Sequence, residues 1–272
     1  MEPSSVHDLP LSIFSVTEGE DCLVRVESHY CAYSEDELER LSTSLERIIS
    51  NRELRVVFQP LVDLNTVTVF AYEVLARNTS GIFQSPTAMF EAAVAVGLCG
   101  ELGRVLRELA VAECAHQLLF LNIHPNEFSW LKSDDPIFTQ GERIYLELTE
   151  SVPMEHPEEC HRILNEARRH GVRLAVDDLG AGYSNLKYIS DLHPEIVKLD
   201  RQLISGLTQG TRLHRLVTSI VNLSVDMGAK VVAEGIETSE ELQAVIETGA
   251  HYGQGYLLAR PGTPPPRPNW PF

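Results

Sequence analysis

The sequence predicts an α/β fold in which strands and helices alternate and the strands close into a βα barrel. From residue 54 onward, short apolar runs alternate with amphipathic helical stretches, a pattern typical of parallel strands that are buried on both faces. The length of 272 residues suits one barrel domain, for which about 250 residues is typical. We find no internal repeat and no linker that would divide the barrel.

The barrel domain is expected to occupy residues 34–261. Ser34 and Glu37 mark its start, because a hydroxyl followed three residues later by Glu suits a capping box at the N-terminus of a helix. Residues 1–33 form an N-terminal extension of unknown role, and residues 262–272 form a proline-rich tail.

The individual elements are predicted from apolar periodicity and from capping residues. Strands are expected at 11–16 and 22–26 in the extension and, in the barrel, at 54–59, 67–76, a run ending at Asn122, 143–148, 173–177, 195–199 and 230–233. Helices are expected to start at Ser34, to cover 86–96, 100–115, 157–170 and a stretch through 213–221, and to start again at a second capping box, Thr238 with Glu241. Three glycines are expected to end helices, namely Gly171, Gly228 and Gly249.

Polar side chains come directly after the apolar runs at seven places in the barrel. These residues are Glu73, Asn122, Glu147, Asp177 with Asp178, Lys198, Glu234 and Gln254. The C-terminal ends of barrel strands converge on one face, where active sites are assembled. Five carboxylates at one face would repel one another unless cations neutralise them. Oxygen ligands of this kind suit Mg²⁺ or Mn²⁺ and not zinc, so the sequence predicts a divalent metal site.

The adjacent pair Asp177-Asp178 is the most specific local feature. Side chains alternate along a strand, but where the strand ends the chain turns, and both carboxylates can reach one site. The alternative is an acidic loop start in which one residue caps the following turn. Glu73 and Glu147 stand in apolar sequence, where a carboxylate must be paired with an arginine or coordinate metal. Asn122 is either a neutral oxygen ligand or a turn former.

Lys198 interrupts an apolar run, and two catalytic roles remain open for it. Near metal ions it would orient or deprotonate an attacking water, whereas in a dry pocket it would form a Schiff base with a carbonyl substrate. The carboxylates expected around it favour the protonated amine, which disfavours the Schiff base. A structural alternative is an ion pair with Asp200.

The charge and composition limit the partners. A net charge of −17 argues against polynucleotide backbones and anionic membranes, so an anionic substrate would need local cations such as metal ions, Arg77 and Lys198. No apolar run reaches the roughly 18 residues that a membrane span needs, and the N-terminus lacks a cationic signal-peptide opening; a cytosolic protein is expected. The five cysteines are scattered, so reduced thiols are expected.

Ordered motifs over residues 36 to 261 resemble those of the EAL domain, the cyclic di-GMP phosphodiesterase family. The matching segments are FQPLVDL (58–64) with YEVLAR (72–77), LNIHP (121–125), LELTE (146–150), VDDLGAGYSNL (176–186), VKLDR (197–201), AEGIET (233–238) and QGY (254–256). Some positions depart from the family's usual residues without removing a ligand, namely Val74, Ala76, Asn78, His124 and Leu179.

The resemblance implies a modified TIM (βα)8 barrel with one antiparallel strand, and hydrolysis of cyclic di-GMP to linear pGpG. It implies two Mg²⁺ or Mn²⁺ ions. One ion would be held by Glu73, Asn122, Glu147 and Asp177, and the second by Asp177, Asp178 and Glu234.

The resemblance also implies roles for other residues. Lys198 would contact the nucleophilic water and Glu237 would support the site, while the substrate would be bound by Gln59, Arg77 and Gln254. Glu150 would brace the loop Gly180 to Leu186, and a homodimer is expected to form through the region 178–186. Two other functions stay open: a non-catalytic effector that binds cyclic di-GMP, and an unrelated barrel lyase that uses Lys198 as a Schiff base.

Overall fold

The computed structural model describes residues 22–26, 29–149, 157–180 and 187–271. The strands are β1 (Cys22–Val26), β2 (His29–Tyr33), β3 (Leu54–Asp63), β4 (Thr68–Asn78), β5 (Leu119–Asn122), β6 (Ile144–Thr149), β7 (Arg173–Leu179), β8 (Ile196–Leu199), β9 (Lys230–Ala233) and β10 (Tyr252–Gly253). The helices are α1 (Glu35–Ser50), α2 (Pro86–Ala95), α3 (Cys99–Glu113), α4 (Pro136–Thr139), α5 (Pro157–Arg169), α6 (Lys187–Leu192), α7 (Arg201–Ile204), α8 (Arg212–Asp226) and α9 (Ser239–Thr248), with 3₁₀ helices at Pro125–Trp130 and Gly141–Arg143.

Eight strands close into a barrel in the order β10-β3-β4-β5-β6-β7-β8-β9, and β1 and β2 form a separate antiparallel pair. Within the barrel, β3 runs antiparallel to both of its neighbours, β4 and β10. The other neighbouring strands are parallel. The structure therefore confirms a mixed barrel with one antiparallel strand.

Several predicted boundaries are confirmed. Strand β9 covers 230–233 as predicted, and both capping boxes are present, Ser34 with Glu37 and Thr238 with Glu241. Gly249 ends α9 with a φ of 84°, a conformation that side chains with a Cβ rarely adopt. The predicted strand at 11–16 lies outside the described residues.

Glu73 lies within a strand, as the predicted span 67–76 implies, although the apolar run stops there. Strand β4 continues to Asn78, and β3 continues to Asp63, because the two strands pair as a hairpin along almost their whole length. Sequence periodicity also missed the shortest elements, since two to six residues are too few to establish a period. These are β2, β10, α4, α6 and α7.

The barrel interior is built in two layers of inward-facing side chains. The first, which we call the apolar layer, consists of Leu61, Ala71, Phe120, Tyr145, Ala175, Ile196, Val232 and Tyr252. The second, the polar layer, lies two residues away along each strand and consists of Gln59, Glu73, Asn122, Glu147, Asp177, Lys198, Glu234 and Gln254. Residues two apart on a strand face the same side, so both layers point into the barrel. The helices cover its outside with two larger apolar clusters.

The C-terminal tail lies beside β3. Gly262 exchanges two backbone hydrogen bonds with Phe58, of 2.9 and 3.0 Å, and the Tyr72 hydroxyl donates to the Pro266 carbonyl at 3.1 Å. No helix in the described part of the chain combines the length and apolar character needed to cross a bilayer. Cys99, Cys114 and Cys160 are buried and free.

Candidate active site

Five carboxylates meet at the polar end of the barrel. Two groups of three have ligand atoms within 4.8 Å of one another, and both groups include Asp177. The first group contains Glu73 and Glu147, and the second contains Asp178 and Glu234. The structure therefore brings together all five predicted acidic metal ligands, with Asp177 between the two groups.

A bulge in β7 lets the consecutive residues Asp177 and Asp178 reach the same site. The register between β7 and β8 shifts between Val176 and Leu179, and Asp178 has a φ of 60°. A left-handed conformation is costly for a residue with a Cβ and is found where a functional site requires it. The sequence predicted that both carboxylates reach one site, but the cause is a bulge inside the strand and not the end of the strand.

Lys198 lies among four of the five carboxylates and is 1% exposed. Its ammonium nitrogen is 2.6 Å from an oxygen of Glu147 and 2.7 Å from an oxygen of Glu234. Asp177 is 3.0 Å away and Glu73 is 3.7 Å away. One ammonium thus faces four carboxylates, and its single charge cannot neutralise them all.

Burial and mutual repulsion make the ionised carboxylates unfavourable. Burial raises the pKa of Glu147 and of Glu234 well above the ordinary value, against the opposing effect of the Lys198 ammonium. Burial, and then the charge of Asp177, raise the pKa of Asp178 to about 7. Burial alone would lower the pKa of Lys198, but the surrounding carboxylates raise it well above its usual value. The cluster therefore favours added positive charge.

The donor set fits divalent cations. Neither carboxylate oxygen of Glu147 has a hydrogen-bond partner of good geometry among the described residues, although one of them contacts Lys198. Glu147 shares that ammonium with three other carboxylates, so this contact alone does not offset the cost of burying its charge, which a bound cation would reduce. The oxygen atoms of the two groups are the ligand type that Mg²⁺ and Mn²⁺ prefer.

Two glutamines form one wall of the same site. Gln254 donates to Gln59 at 3.1 Å and also to Glu73, and Gln59 donates to the Ala259 carbonyl at 3.1 Å. The side-chain oxygen of Gln254 is buried and has no partner among the described residues. It is therefore available to accept a hydrogen bond from a ligand.

A cavity of about 280 Å³ opens above the carboxylates. Its walls are formed by Gln59, Glu73, Asp177, Asp178, Arg201, Glu234, Gly235, Glu237, Gln254, Gly255 and Tyr256. Two substrate-binding predictions, Gln59 and Gln254, therefore lie at this cavity, and so does Glu237.

The other predicted site residues are not part of the described cavity wall. Asn122 is the register partner of Glu147 across β5 and β6, and it is exposed. Arg77 lies four residues beyond Glu73 on β4 and donates to the Ala76 carbonyl at 2.7 Å; it is not among the described residues that form the cavity wall. Glu150 and the loop 181–186 lie outside the described residues.

Sequence reasoning missed Arg201 and Tyr256 as cavity residues. The Arg201 guanidinium lies 3.0 Å from an oxygen of Glu237, and its aliphatic chain packs on Gly235, where a Cβ would collide with it. The signal was present, since Arg201 follows Lys198 by three residues in a chain with few cations. Its position alone does not identify it as a cavity residue, because arginines are mostly exposed.

Glu241 was predicted only as a helix cap, but it also holds the loop that carries Glu237. Its carboxylate accepts hydrogen bonds from the backbone N–H groups of Glu237 at 2.9 Å, Thr238 at 3.1 Å and Gly206 at 2.8 Å. The residue is 7% exposed. A capping pattern in the sequence cannot reveal the contact with Gly206, which is 35 residues distant.

Residues 42–261 match the family of the EAL domain. A cyclic di-GMP phosphodiesterase of Pseudomonas aeruginosa is 30% identical over 85% of this chain and 42% of that protein. A Klebsiella pneumoniae protein, BlrP1, solved with manganese and cyclic di-GMP, has a TM-score of 0.68 at 27% identity and covers 77% of this chain and 56% of its own. The phosphodiesterase PaMucR, solved with cyclic di-GMP, has a TM-score of 0.71 at 25% identity over 82% of this chain and 97% of its own. The chain spans less than half the length of the curated relatives it matches.

Proposed function

The chain belongs to the EAL domain family, and we propose that it hydrolyses cyclic di-GMP to linear pGpG with divalent metal ions. The observation that carries the proposal is the pair of carboxylate groups that share Asp177. Two cations bridged by one carboxylate are the arrangement that many phosphodiester hydrolases use. Relatives and solved neighbours that are named as cyclic di-GMP phosphodiesterases, or that bind this dinucleotide, support the choice of substrate.

We assign the two proposed Mg²⁺ or Mn²⁺ positions to the two carboxylate groups. Glu73, Glu147 and Asp177 would hold one ion together with Asn122, which lies on the neighbouring strand in register with Glu147. Asp177, Asp178 and Glu234 would hold the second ion. When bound, such ions activate water for attack on phosphorus and stabilise the charge that develops on the phosphate oxygens.

The chain's own residues would bind the dinucleotide and position the attacking water. Lys198 is protonated because its carboxylate neighbours raise its pKa, so it would donate a hydrogen bond to the attacking water and hold that water in line. Gln59 and Gln254 would contact substrate oxygen or base atoms, and the free oxygen of Gln254 supports this role. Arg77 would need to swing from the Ala76 carbonyl to reach a phosphate.

The effector alternative is disfavoured by the completeness of the polar layer. A protein that only binds the dinucleotide does not need five carboxylates and a lysine within one buried cluster. The lyase alternative is disfavoured by the raised pKa of Lys198, because a Schiff base forms from the neutral amine.

Three measurements on the purified protein separate the three functions. Purified protein is incubated with cyclic di-GMP and Mn²⁺, Mg²⁺ or EDTA, and the products are separated by chromatography. We expect pGpG with either metal and none with EDTA. Tight binding of cyclic di-GMP by calorimetry without any pGpG would favour the effector. Borohydride trapping of a carbonyl substrate on Lys198 would favour the lyase.

We also propose a homodimer formed through the region 178–186, which rests on the family resemblance alone. Residues 181–186 and Glu150, the expected link between that surface and the metals, lie outside the described residues. Light scattering would locate the concentration range in which the dimer dissociates. Specific activity should rise with protein concentration through that range. A flat response through that transition would remove the link between assembly and rate. The cytosolic location stays a prediction.

A further inference from the structure

Outside the carboxylate site, three charged side chains form a buried ion cluster: Arg107 of α3, Glu127 of the 3₁₀ helix Pro125–Trp130, and Asp135. They are 3%, 1% and 1% exposed. The Arg107 guanidinium donates to both oxygens of Asp135 at 3.0 and 2.9 Å and to Glu127 at 2.6 Å. Gly103, one turn earlier on α3, lies so close to Glu127 that a Cβ there would collide with its carboxylate.

Stability alone is a weak reason for this cluster. Two carboxylates share one guanidinium among buried groups, and burial raises the pKa of Glu127. Desolvation of such ions usually cancels their attraction, and replacement by apolar residues of similar size is often neutral or stabilising. Buried ion clusters are better attested where they fix one geometry. The segment that this cluster fixes is the one that follows β5.

Glu127 connects the cluster to the end of β5. One of its oxygens accepts from Arg107, and the other accepts from the backbone N–H of His124 at 2.9 Å. His124 is two residues after Asn122. Between them, the Ile123 N–H donates to the Glu147 carbonyl at 3.1 Å. The backbone on the C-terminal side of Asn122 is thus held by Glu127 and by the strand that carries Glu147.

We propose that Arg107 is a positioning residue that acts through Glu127 to hold the Asn122 side chain in place as a metal ligand. The inference rests on the proposed metal site, because Asn122 matters here only as a ligand. Arginine suits the role because its planar fork can grip Asp135 with two donors while a third donor holds Glu127. Outer partners of metal ligands typically contribute 10–100-fold to metal affinity.

The test is Mn²⁺ binding to the full chain, measured by calorimetry without substrate. Asn122→Ala defines the effect of losing the ligand. We expect Arg107→Met to weaken Mn²⁺ binding roughly 10–100-fold, and the double variant Arg107→Met with Asn122→Ala to bind about as weakly as Asn122→Ala alone, because coupled residues are not additive.

Two further variants keep the test decisive. Arg107→Lys retains the buried charge and therefore the fold, but it lacks the fork, so a loss of about threefold to tenfold in Mn²⁺ affinity is expected. Arg104→Met is the matched control. Arg104 lies on the same helix and pairs with Asp134 at 2.8 Å, next to Asp135 but at the surface, and we expect its loss to change Mn²⁺ affinity by less than about twofold.

The outcomes distinguish the inference from the proposed function. Wild-type affinity in the folded Arg107→Lys and Arg107→Met proteins would overturn the positioning role. Additive losses in the double variant, or equal losses in Arg104→Met, would overturn it as well. Wild-type protein that binds no Mn²⁺ would overturn the proposed metal site itself, and the inference with it.

Discussion

The two ends of the barrel interior use the same strands to opposite effect. In the apolar layer, Phe120 stacks on Tyr145 with ring centroids 4.5 Å apart, and the Tyr252 hydroxyl accepts from Lys230 at 3.1 Å. In the polar layer, two residues away along each strand, the Lys198 ammonium faces four carboxylates that repel one another. The first end consists of well-paired neighbours, whereas the second gathers carboxylates that a single ammonium cannot neutralise.

This difference separates the residues that hold the barrel together from those that perform chemistry. Apolar burial contributes favourably to folding, whereas buried carboxylates with raised pKa values, such as Glu147 and Glu234, oppose it. The helix-covered wall and the apolar layer must therefore stabilise the barrel enough to hold the polar layer in place. Substitutions in the two layers should have opposite signatures in stability and in rate.

Glu73→Ala should abolish turnover without unfolding the protein. The variant removes one charged ligand from the first carboxylate group, while one source of repulsion in the buried cluster also disappears. Chromatography of pGpG over a long incubation, combined with thermal melting, measures both effects. Activity within about tenfold of wild type, roughly 1.4 kcal/mol in barrier height, would show that Glu73 has only a structural role.

Phe120→Ala should have the opposite signature. Phe120 is fully buried in the apolar layer and stacks on Tyr145, so its removal leaves a cavity and should lower the free energy of unfolding by about 3–5 kcal/mol. Denaturant unfolding measures this loss. A decrease below about 1 kcal/mol would mean that the apolar layer is loosely packed and that the contrast between the two ends is wrong.

Lys198→Ala tests whether Lys198 is needed for turnover or for binding of the dinucleotide. The carboxylates and both glutamines remain, so binding of cyclic di-GMP should persist in calorimetry. Turnover should fall by roughly 10²-fold or more, the range for a group that positions or transfers a proton. If binding and turnover decreased by the same factor, Lys198 would instead have a structural role in the site.

Much of the site was predictable because its residues alternate with apolar ones at a spacing of two. Glu147, Asp177 and Glu234 each stand two residues after an inward-facing apolar residue. The structure brings these side chains together, but the strand-end pattern is an incomplete reason, because Glu73 and Lys198 lie within strands that continue past them. Asn122 ends β5, and Glu234 and Gln254 directly follow β9 and β10, so the strand-end pattern holds for these three. For Glu73, position in the inward layer brings the side chain to the site.

The parts that could not be predicted depend on contacts between distant segments. Arg107 sits on a helix whose amphipathic pattern gives no sign that a buried cation will meet Glu127, 20 residues away, and Asp135, 28 residues away. The bulge at Asp178 likewise depends on the register between β7 and β8. Local periodicity specifies elements, whereas such pairs are specified only when the elements pack together.

The smallest expected effect lies near the apolar end, at His251. Its ring nitrogen Nδ1 accepts the backbone N–H of Val231 at 3.2 Å. Burial, and then the charge of Lys230, lower the pKa of His251, against the opposing effect of Asp63. Below the ordinary histidine pKa of about 6.5, the unfolded chain therefore binds more protons than the folded one. The contribution of His251 to the free energy of unfolding is therefore complete above that pH, and it is lost as the pH falls through the lowered pKa.

His251→Gln keeps a side-chain acceptor but cannot titrate. Unfolding free energies measured between pH 7.5 and 5.5 should therefore decrease less steeply for the variant than for the wild type, with similar values at pH 7.5. The two curves differ only by the proton that His251 takes up on unfolding, because the other histidines are common to both proteins. If the two curves of unfolding free energy against pH were parallel, His251 would have the same pKa in the folded and unfolded states. Protonation of its ring would then not disturb the contact with Val231. In that case the well-paired packing of the apolar end would not extend to His251.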